Sequence, residues 1–223
     1  MATESTTRAL QARDKIRQDI LAGRWAPGEK VIREELAKAY GISSTLVREA
    51  LISLVGEHLL EASPNHGFRV PEINLDHLAG LTETRCRIDA LGVEIAFERG
   101  DLDWESDVVV AHHRLARTAY DPEAPQPWVE AHRAFHASII EACDVEVLKS
   151  FSRILFNCTE LYRRSSAKKD VMQTWMPRIE REHEELLDAV VARDTARAVD
   201  LLVAHHRGTI ALMNNEDPQP KHA

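Results

Sequence analysis

The apolar residues between Val31 and Val70 recur at helical spacing on two successive segments. They are Ile32, Leu36, Ala39 and Tyr40 on the first segment, and Leu46, Val47, Ala50, Leu51 and Leu54 on the second. Between the segments, Gly41 supplies a helix stop, and Ser43 can cap the second helix by accepting a hydrogen bond from its free backbone N–H groups. This pattern predicts a helix-turn-helix.

Two short extended runs, 59–62 and 68–70, follow the second predicted helix. They flank Ser63-Pro64-Asn65-His66-Gly67, a turn-rich sequence typical of the tip of a two-stranded wing. Upstream, the pattern predicts an amphipathic helix from about Thr6 to Leu21, with Trp25 beneath the small core. The predicted unit is a winged helix over residues 1–71.

After residue 71 the apolar pattern is helical throughout. A long segment runs from Leu75 to Ile95 and stops at Gly100, and later helices are predicted at about 102–120, 127–143, 146–164, 171–193 and 195–214. The fold class expected is therefore mainly α: an N-terminal winged helix-turn-helix followed by an all-α antiparallel bundle over residues 72–223. Facing helices of such a bundle can build an internal site.

Composition narrows the class of protein. The chain of 223 residues contains no apolar run of about 18 residues and begins with a polar stretch, so we expect a cytoplasmic protein with no membrane partner. The cysteines are odd in number and scattered, at Cys86, Cys143 and Cys158. This spacing argues against a disulfide framework and against a zinc knuckle.

The formal net charge of −8 is unusual for a DNA-binding protein. Residues 1–70 carry 10 Lys and Arg against 9 Asp and Glu, whereas residues 71–223 carry 18 against 27. The acidity therefore belongs to the predicted bundle, and DNA is expected on the N-terminal unit.

Four polar residues occupy the first turn and a half of the second predicted helix: Ser43, Ser44, Thr45 and Arg48. This is the part of a recognition helix that enters the major groove of double-stranded operator DNA. Arg48 can bond a guanine edge or a phosphate, and the hydroxyls can bond either. The simpler alternative is that Ser43 only caps the helix and Arg48 is a surface charge.

Histidines give a second signal, since the chain has eleven. His132 and His136 are one helical turn apart on one face, with about 5–6 Å between Cβ atoms. His183 and His205 lie at similar distances from a predicted turn near Arg193, which places them level on neighbouring antiparallel helices. The four imidazoles could hold a borderline divalent ion such as Zn²⁺ or Ni²⁺, although most histidines in bundles are ordinary core or surface residues.

Several motifs of the N-terminal unit resemble those of GntR-family bacterial transcription regulators. They are Pro27-Gly28-Glu29, Leu36-Ala37, Gly41-Ile42-Ser43, Val47-Arg48-Glu49-Ala50-Leu51 and Asn65-His66-Gly67-Phe68-Arg69-Val70. The rest of the chain resembles the all-helical FCD effector domain of the FadR-like subfamily. The sequence departs from the family pattern at Ser44, where the family has a DNA-contacting arginine, and in the order Arg33-Glu34. DNA contacts are then expected from Arg48, Thr45, Arg33, and His66 and Gly67 of the wing.

The resemblance also bears on the histidines. Metal-binding FCD domains share Asp-x-x-Phe-His on one helix and a histidine on each of two later helices. Phe135-His136, His183 and His205 match this pattern, and His132 replaces the aspartate. The resemblance implies a metal site in which His132 is either a fourth ligand or a polar neighbour. The remaining histidines of interest, His112, His113 and His206, are interpreted as surface residues or as a second layer around the site.

An effector site is implied in the same way. Glu83-Thr84-Arg85-x-x-Ile88-Asp89 resembles the Arg-x-x-Leu-Glu stretch of the first FCD helix, whose arginine pairs with an effector carboxylate. A planar guanidinium can hold a carboxylate through two hydrogen bonds. Alternatively, Arg85 pairs internally with an acidic neighbour. Tyr162 and Arg163, at a predicted helix end, either reach the mouth of this pocket or are solvated.

These observations predict a ligand-responsive transcription regulator that releases operator DNA when a small carboxylate binds. Repression and a symmetric homodimer are implied by the resemblance. One alternative is a DNA-binding module whose helical domain only dimerises. Another is a metal-dependent helical-bundle enzyme, but no Glu-x-x-His pair repeats as in di-iron sites, and the winged helix would be unexplained. We therefore do not expect an enzyme.

Overall fold

A computed structural model of the protein describes residues 2–63, 67–72, 74–166 and 169–214. Nine helices occur in these ranges: α1 (Ala2–Leu21), α2 (Arg33–Tyr40), α3 (Ser44–Gly56), α4 (Leu75–Arg99), α5 (Leu102–Ala116), α6 (Gln126–Glu141), α7 (Glu146–Ser166), α8 (Lys169–Val191) and α9 (Thr195–Met213). Three short strands accompany them: β1 (Lys30–Val31), β2 (Glu61–Ser63) and β3 (Gly67–Arg69). The mainly helical fold class predicted from the sequence is confirmed.

The chain divides into two compact units, 1–74 with 160–165, and 75–159 with 166–223. In the first unit, α2 and α3 form the predicted helix-turn-helix. Gly41 ends α2 in the left-handed region, at φ 64°, which costs glycine little because it has no Cβ. The Ser43 hydroxyl then accepts a hydrogen bond from the Leu46 backbone N–H at 3.3 Å and caps α3.

The apolar face of α3 packs on α1. Val47, Leu51 and Leu54 are fully buried together with Ile16 and Ile20 of α1. Trp25 also lies in this cluster, as predicted. Burying one face of α3 in this way leaves its opposite face to solvent.

The wing is a three-stranded antiparallel sheet in the order β1-β3-β2. Phe68 of β3 pairs with Ala62 on one side and with Val31 on the other. The sequence analysis predicted only β2 and β3, because β1 is two residues long and shows no alternation of polar and apolar positions.

The second unit consists of α4, α5, α6, α8, α9 and α7 up to Thr159. The helices of this unit begin and end within a few residues of the predicted positions, except that α5 ends at Ala116 rather than near Tyr120. Asp101 caps α5 by accepting a bond from the Trp104 N–H at 3.0 Å. A single apolar cluster built around Phe135, Ile139 and Trp128 joins these helices.

Within the described ranges, no helix combines the length and apolar character needed to cross a bilayer.

Candidate functional site

The exposed face of α3 carries most of the residues predicted to contact DNA. Ser43, Thr45 and Arg48 are exposed, and Ser44 is half-buried. Arg48 forms no hydrogen bond or ion pair with any described residue, so its guanidinium is available to a phosphate or a base edge. Residues of this kind on the first turns of a recognition helix are those that read the major groove.

The remaining predicted DNA contacts are less uniform. Arg33 pairs with its neighbour Glu34 at 2.7 Å on the protein surface. Gly67 opens β3 with a φ of 78° and is exposed. The prediction for His66 lies outside the described residues.

Four histidines of the second unit converge. His132 and His136 come from α6, His183 from α8 and His205 from α9, and one ring nitrogen of each lies within 4.8 Å of the others. The two Nε2 atoms of His132 and His136 are 2.9 Å apart. All four residues are at most 8% exposed. The arrangement foreseen from spacing on antiparallel helices is the one that the structure has.

The electrostatics of the cluster favour neutral imidazoles at His136 and His183. Burial lowers the pKa of His136 and of His183 well below the usual range, and the neighbouring histidines lower both further. His136 Nδ1 and His183 Nε2 find no hydrogen-bond partner among the described residues. An imidazole binds a metal ion in its neutral form, through a nitrogen whose lone pair is free.

A carboxylate orients His205. The Glu182 carboxylate lies 2.8 Å from His205 Nδ1 and also accepts a hydrogen bond from Arg178 Nε at 2.7 Å. Burial raises the pKa of Glu182, but the bonds to His205 and Arg178 outweigh it and leave the pKa lowered. A carboxylate on one imidazole nitrogen directs the other nitrogen toward the cluster, as in metal sites.

Beside the cluster, Arg85 is held in a buried polar group. Its Nε donates to Asp89 Oδ2 at 3.2 Å, and its Nη1 donates to Thr159 Oγ1 at 2.9 Å. The same Asp89 oxygen lies 2.9 Å from His206 Nε2. The internal pairing of Arg85, foreseen as the alternative, therefore exists, and it fixes the direction of the guanidinium.

The charges of this group follow from its contacts. Burial raises the pKa of Asp89, yet the hydrogen bond from His206 and the charge of Arg85 bring it down to about 2. Burial and Arg85 lower the pKa of His206 to about 3, against the pull of Asp89. At neutral pH, a neutral His206 thus donates its Nε2–H to an ionised Asp89.

A cavity of about 300 Å³ adjoins both groups, since its wall includes Arg85, His136 and Phe156. We call it the Arg85 cavity. Three more cations line it, Arg133, Lys149 and Arg153, against two carboxylates, Glu141 and Glu146. A cationic cavity of this size suits a small anion.

Two sequence predictions need correction here. Tyr162 and Arg163 are not in the wall of the Arg85 cavity, nor are they solvated: they are 3% and 7% exposed, and residues 160–165 group with the first unit. Arg163 Nε donates to Glu160 at 2.8 Å. The sequence analysis also missed the buried bond between Asp89 and His206, which joins α4 to α9.

Comparison with known proteins agrees with both units. The model of the bacterial regulatory proteins, gntR family, matches residues 8–70, and the FCD domain model matches residues 80–208. The HTH-type transcriptional regulator BphR of Paraburkholderia xenovorans is 33% identical over 89% of this chain and 82% of its own length. The HTH-type transcriptional repressor GlaR of Escherichia coli is 31% identical over 85% and 88%.

A solved structure shows the same fold. E. coli McbR/YncC superposes with a TM-score of 0.77 at 21% identity, covering 93% of this chain and 97% of that one.

Proposed function

Since the chain belongs to the GntR family of bacterial regulatory proteins and carries an FCD domain, it is a transcription regulator with a DNA-binding domain, and we propose that it is a metal-assisted, carboxylate-responsive repressor. In this proposal a homodimer binds operator DNA through its winged helices and releases it when a small carboxylate enters the Arg85 cavity. The observation that carries the proposal is the histidine cluster beside a cavity lined by a fixed arginine.

The DNA-binding part rests on the exposed face of α3. Arg48, Thr45 and Ser43 supply base or phosphate contacts from the recognition helix, with Arg33, Ser44, His66 and Gly67 adding contacts around it. Half-sites about one helical turn apart would be read by the two heads of a dimer. A repressor role is supported by the repressor GlaR, which resembles this chain over most of its length.

The metal part rests on the donor set. Two ligands at about 2.1 Å from one ion can be no more than about 4.2 Å apart, so a cluster within 4.8 Å needs only a small contraction. The buried His183 Nε2, which has no hydrogen-bond partner among the described residues, would be satisfied by such an ion. Four imidazoles suit Zn²⁺ or Ni²⁺. When bound, the ion supplies a Lewis-acidic position for an effector oxygen.

The effector part rests on Arg85. Asp89 and Thr159 hold its guanidinium in place, so little side-chain entropy is lost when a carboxylate binds. Asp89 accepts a hydrogen bond from Nε and Thr159 accepts one from Nη1, so the remaining N–H donors of the guanidinium can face the cavity. A helical domain that served only to dimerise would have no use for a buried arginine in the wall of a cavity.

The test measures binding of the protein to DNA upstream of its own gene by fluorescence anisotropy at moderate salt. Zn²⁺ is present or absent, and a panel of mono- and dicarboxylates is added. We expect specific binding that one carboxylate reverses, with the reversal lost in Arg85→Lys, which keeps the charge but not the fork of donors.

The outcomes separate the parts of the proposal. If specific DNA is never bound at moderate salt, where nonspecific contacts weaken, the operator-binding part is wrong. If DNA is bound but no carboxylate changes the affinity, the effector part is wrong. If equilibrium dialysis finds no Zn²⁺ or Ni²⁺ on the wild type, the metal part is wrong.

A further inference from the structure

A second cavity, of about 240 Å³, also reaches the histidine cluster. Its wall contains His183, His112 and Trp128, together with the exposed residues Glu180 and Glu184. We call it the His183 cavity. His183 lines this cavity, whereas His136 lines the Arg85 cavity. The two cavities therefore border different members of the cluster.

The two cavities differ in charge. The described lining of the His183 cavity contains two carboxylates and no lysine or arginine. The lining of the Arg85 cavity is cationic, and both of its carboxylates are bound by Lys149, Glu141 at 2.8 Å and Glu146 at 2.6 Å. A cleft with a field of one sign concentrates ions of the opposite sign and speeds their arrival.

His183 joins this cavity to the proposed metal site. It is 3% exposed, it lies in the wall of the cavity, and its Nε2 has no hydrogen-bond partner in the part of the chain described. A buried polar nitrogen without a partner is costly unless something binds it. Glu184 lies close to the neighbouring His112, whose pKa burial lowers and Glu184 raises. In the wall of the cavity, exposure falls from the two carboxylates to the half-buried His112 and the buried His183.

We propose that divalent ions enter and leave the histidine cluster through the His183 cavity, which leaves the Arg85 cavity to the anionic effector. This inference rests on the metal site proposed above. Separate routes would let an ion exchange while the effector occupies its own cavity, and each route would attract its own cargo by charge.

The experiment uses two exposed alanines, one in each wall. Ala116 ends α5 and lines the His183 cavity, and Ala137 on α6 lines the Arg85 cavity. Uptake of Zn²⁺ by the metal-free protein, and its release to a chromogenic chelator, are followed by stopped flow. We expect Ala116→Trp to slow uptake and release equally, by about tenfold or more, because a blocked path changes rates and not the bound state. Ala137→Trp should leave both rates unchanged.

Charge variants give a second measurement with a matched control. Glu180→Gln with Glu184→Gln should slow Zn²⁺ uptake about three- to tenfold at low salt, and the difference should shrink near 1 M salt, where the Debye length is about 3 Å. Glu141→Gln with Glu146→Gln removes two carboxylates from the other wall and should not slow uptake. Circular dichroism and melting temperature verify that each variant is folded.

Each outcome is decisive. If Ala137→Trp slows Zn²⁺ exchange and Ala116→Trp does not, ions use the Arg85 cavity and the inference is overturned. If the wild type binds Zn²⁺ and neither tryptophan alters the rates, the route is wrong while the metal site stands. If the wild type binds no Zn²⁺ at equilibrium, the metal site fails and the route with it.

Discussion

The exposed face of α3 and the buried polar centre of the helical unit are organised in opposite ways. Arg48 forms no hydrogen bond or ion pair with another described residue and faces solvent. Arg85, Asp89 and His206 are 6%, 4% and 2% exposed, and each is bound to another member of the group.

This difference determines how function and stability are linked. A surface side chain without intramolecular contacts can be changed at little cost in folding free energy. Removing a buried charge from a shared network costs much more folding free energy, because its partners are left desolvated and unpaired. The recognition surface should therefore separate DNA affinity from stability, whereas the buried centre should couple effector binding to stability.

Lowering the pH is expected to give the largest effect on the unfolding free energy, and this effect comes from the buried histidines of the helical unit. The pKa values of His136, His183 and His206 are lowered in the folded protein, that of His206 to about 3, so in the metal-free protein these residues take up protons mainly on unfolding. The stability they confer is complete above pH 6.5 and is lost as the pH falls toward the folded values. With three such groups the slope approaches about 4 kcal/mol per pH unit.

Urea unfolding at several pH values, with a chelator present, measures this slope. Replacing His206 by Gln should make it shallower by about one third, provided that the variant folds. A flat stability profile between pH 6.5 and 5 would show that the buried histidines titrate normally.

Asp89→Ala is expected to have the next largest effect. It leaves the Arg85 guanidinium buried without a counter-charge from Asp89, held by the hydrogen bond to Thr159 and the contact with the Phe156 ring, and should cost about 3–5 kcal/mol of unfolding free energy. The matched control is Glu34→Ala, which removes the partner of Arg33 from a surface ion pair that water already screens, so its loss of unfolding free energy should be far smaller. Chemical unfolding of both variants makes the comparison. Equal losses would contradict the contrast between buried and exposed pairs.

The same contrast explains what could be predicted from the sequence. The helix-turn-helix and the histidine cluster could both be predicted from the sequence. Helical periodicity and the i,i+4 rule act within one element, and His183 and His205 lie at similar distances from the turn that joins their two helices. The Asp89–His206 bond joins α4 to α9 and depends on which faces of two long helices meet, which spacing within one helix does not specify. The prediction for Tyr162 and Arg163 was wrong for the same reason, because burial by residues distant in the sequence does not show in a local pattern.

Strand β1 marks a different limit. Lys30 and Val31 form a strand only because Phe68 and Arg69 lie beside them. Two residues carry no period of their own, so this strand is a consequence of the tertiary fold rather than of the local sequence.

On the recognition surface, Arg48→Ala should weaken operator binding by about 1–3 kcal/mol, which corresponds to roughly five- to 150-fold in affinity. Its unfolding free energy should stay within about 0.5 kcal/mol of the wild type, because the side chain has no described partner. Anisotropy titration and urea unfolding of the same preparation give both numbers. An unchanged operator affinity would mean that α3 is not placed in the groove as proposed.

The smallest effect is expected from Ser44→Arg, which adds a contact to the exposed face of α3 instead of removing one. Ser44 is half-buried on the first turn of α3, next to the exposed Thr45, so a long side chain there can extend into solvent toward DNA without entering the core. One added phosphate contact should strengthen binding to all sequences similarly and steepen the salt dependence by about one unit of slope. One added base contact should instead strengthen binding to a subset of sequences, with the gain at about 1 kcal/mol. Titrations against operator and scrambled DNA at several salt concentrations distinguish the two. A loss of unfolding free energy above about 1 kcal/mol would show that position 44 belongs with the buried residues, and that the free surface of α3 is narrower than its exposed side chains indicate.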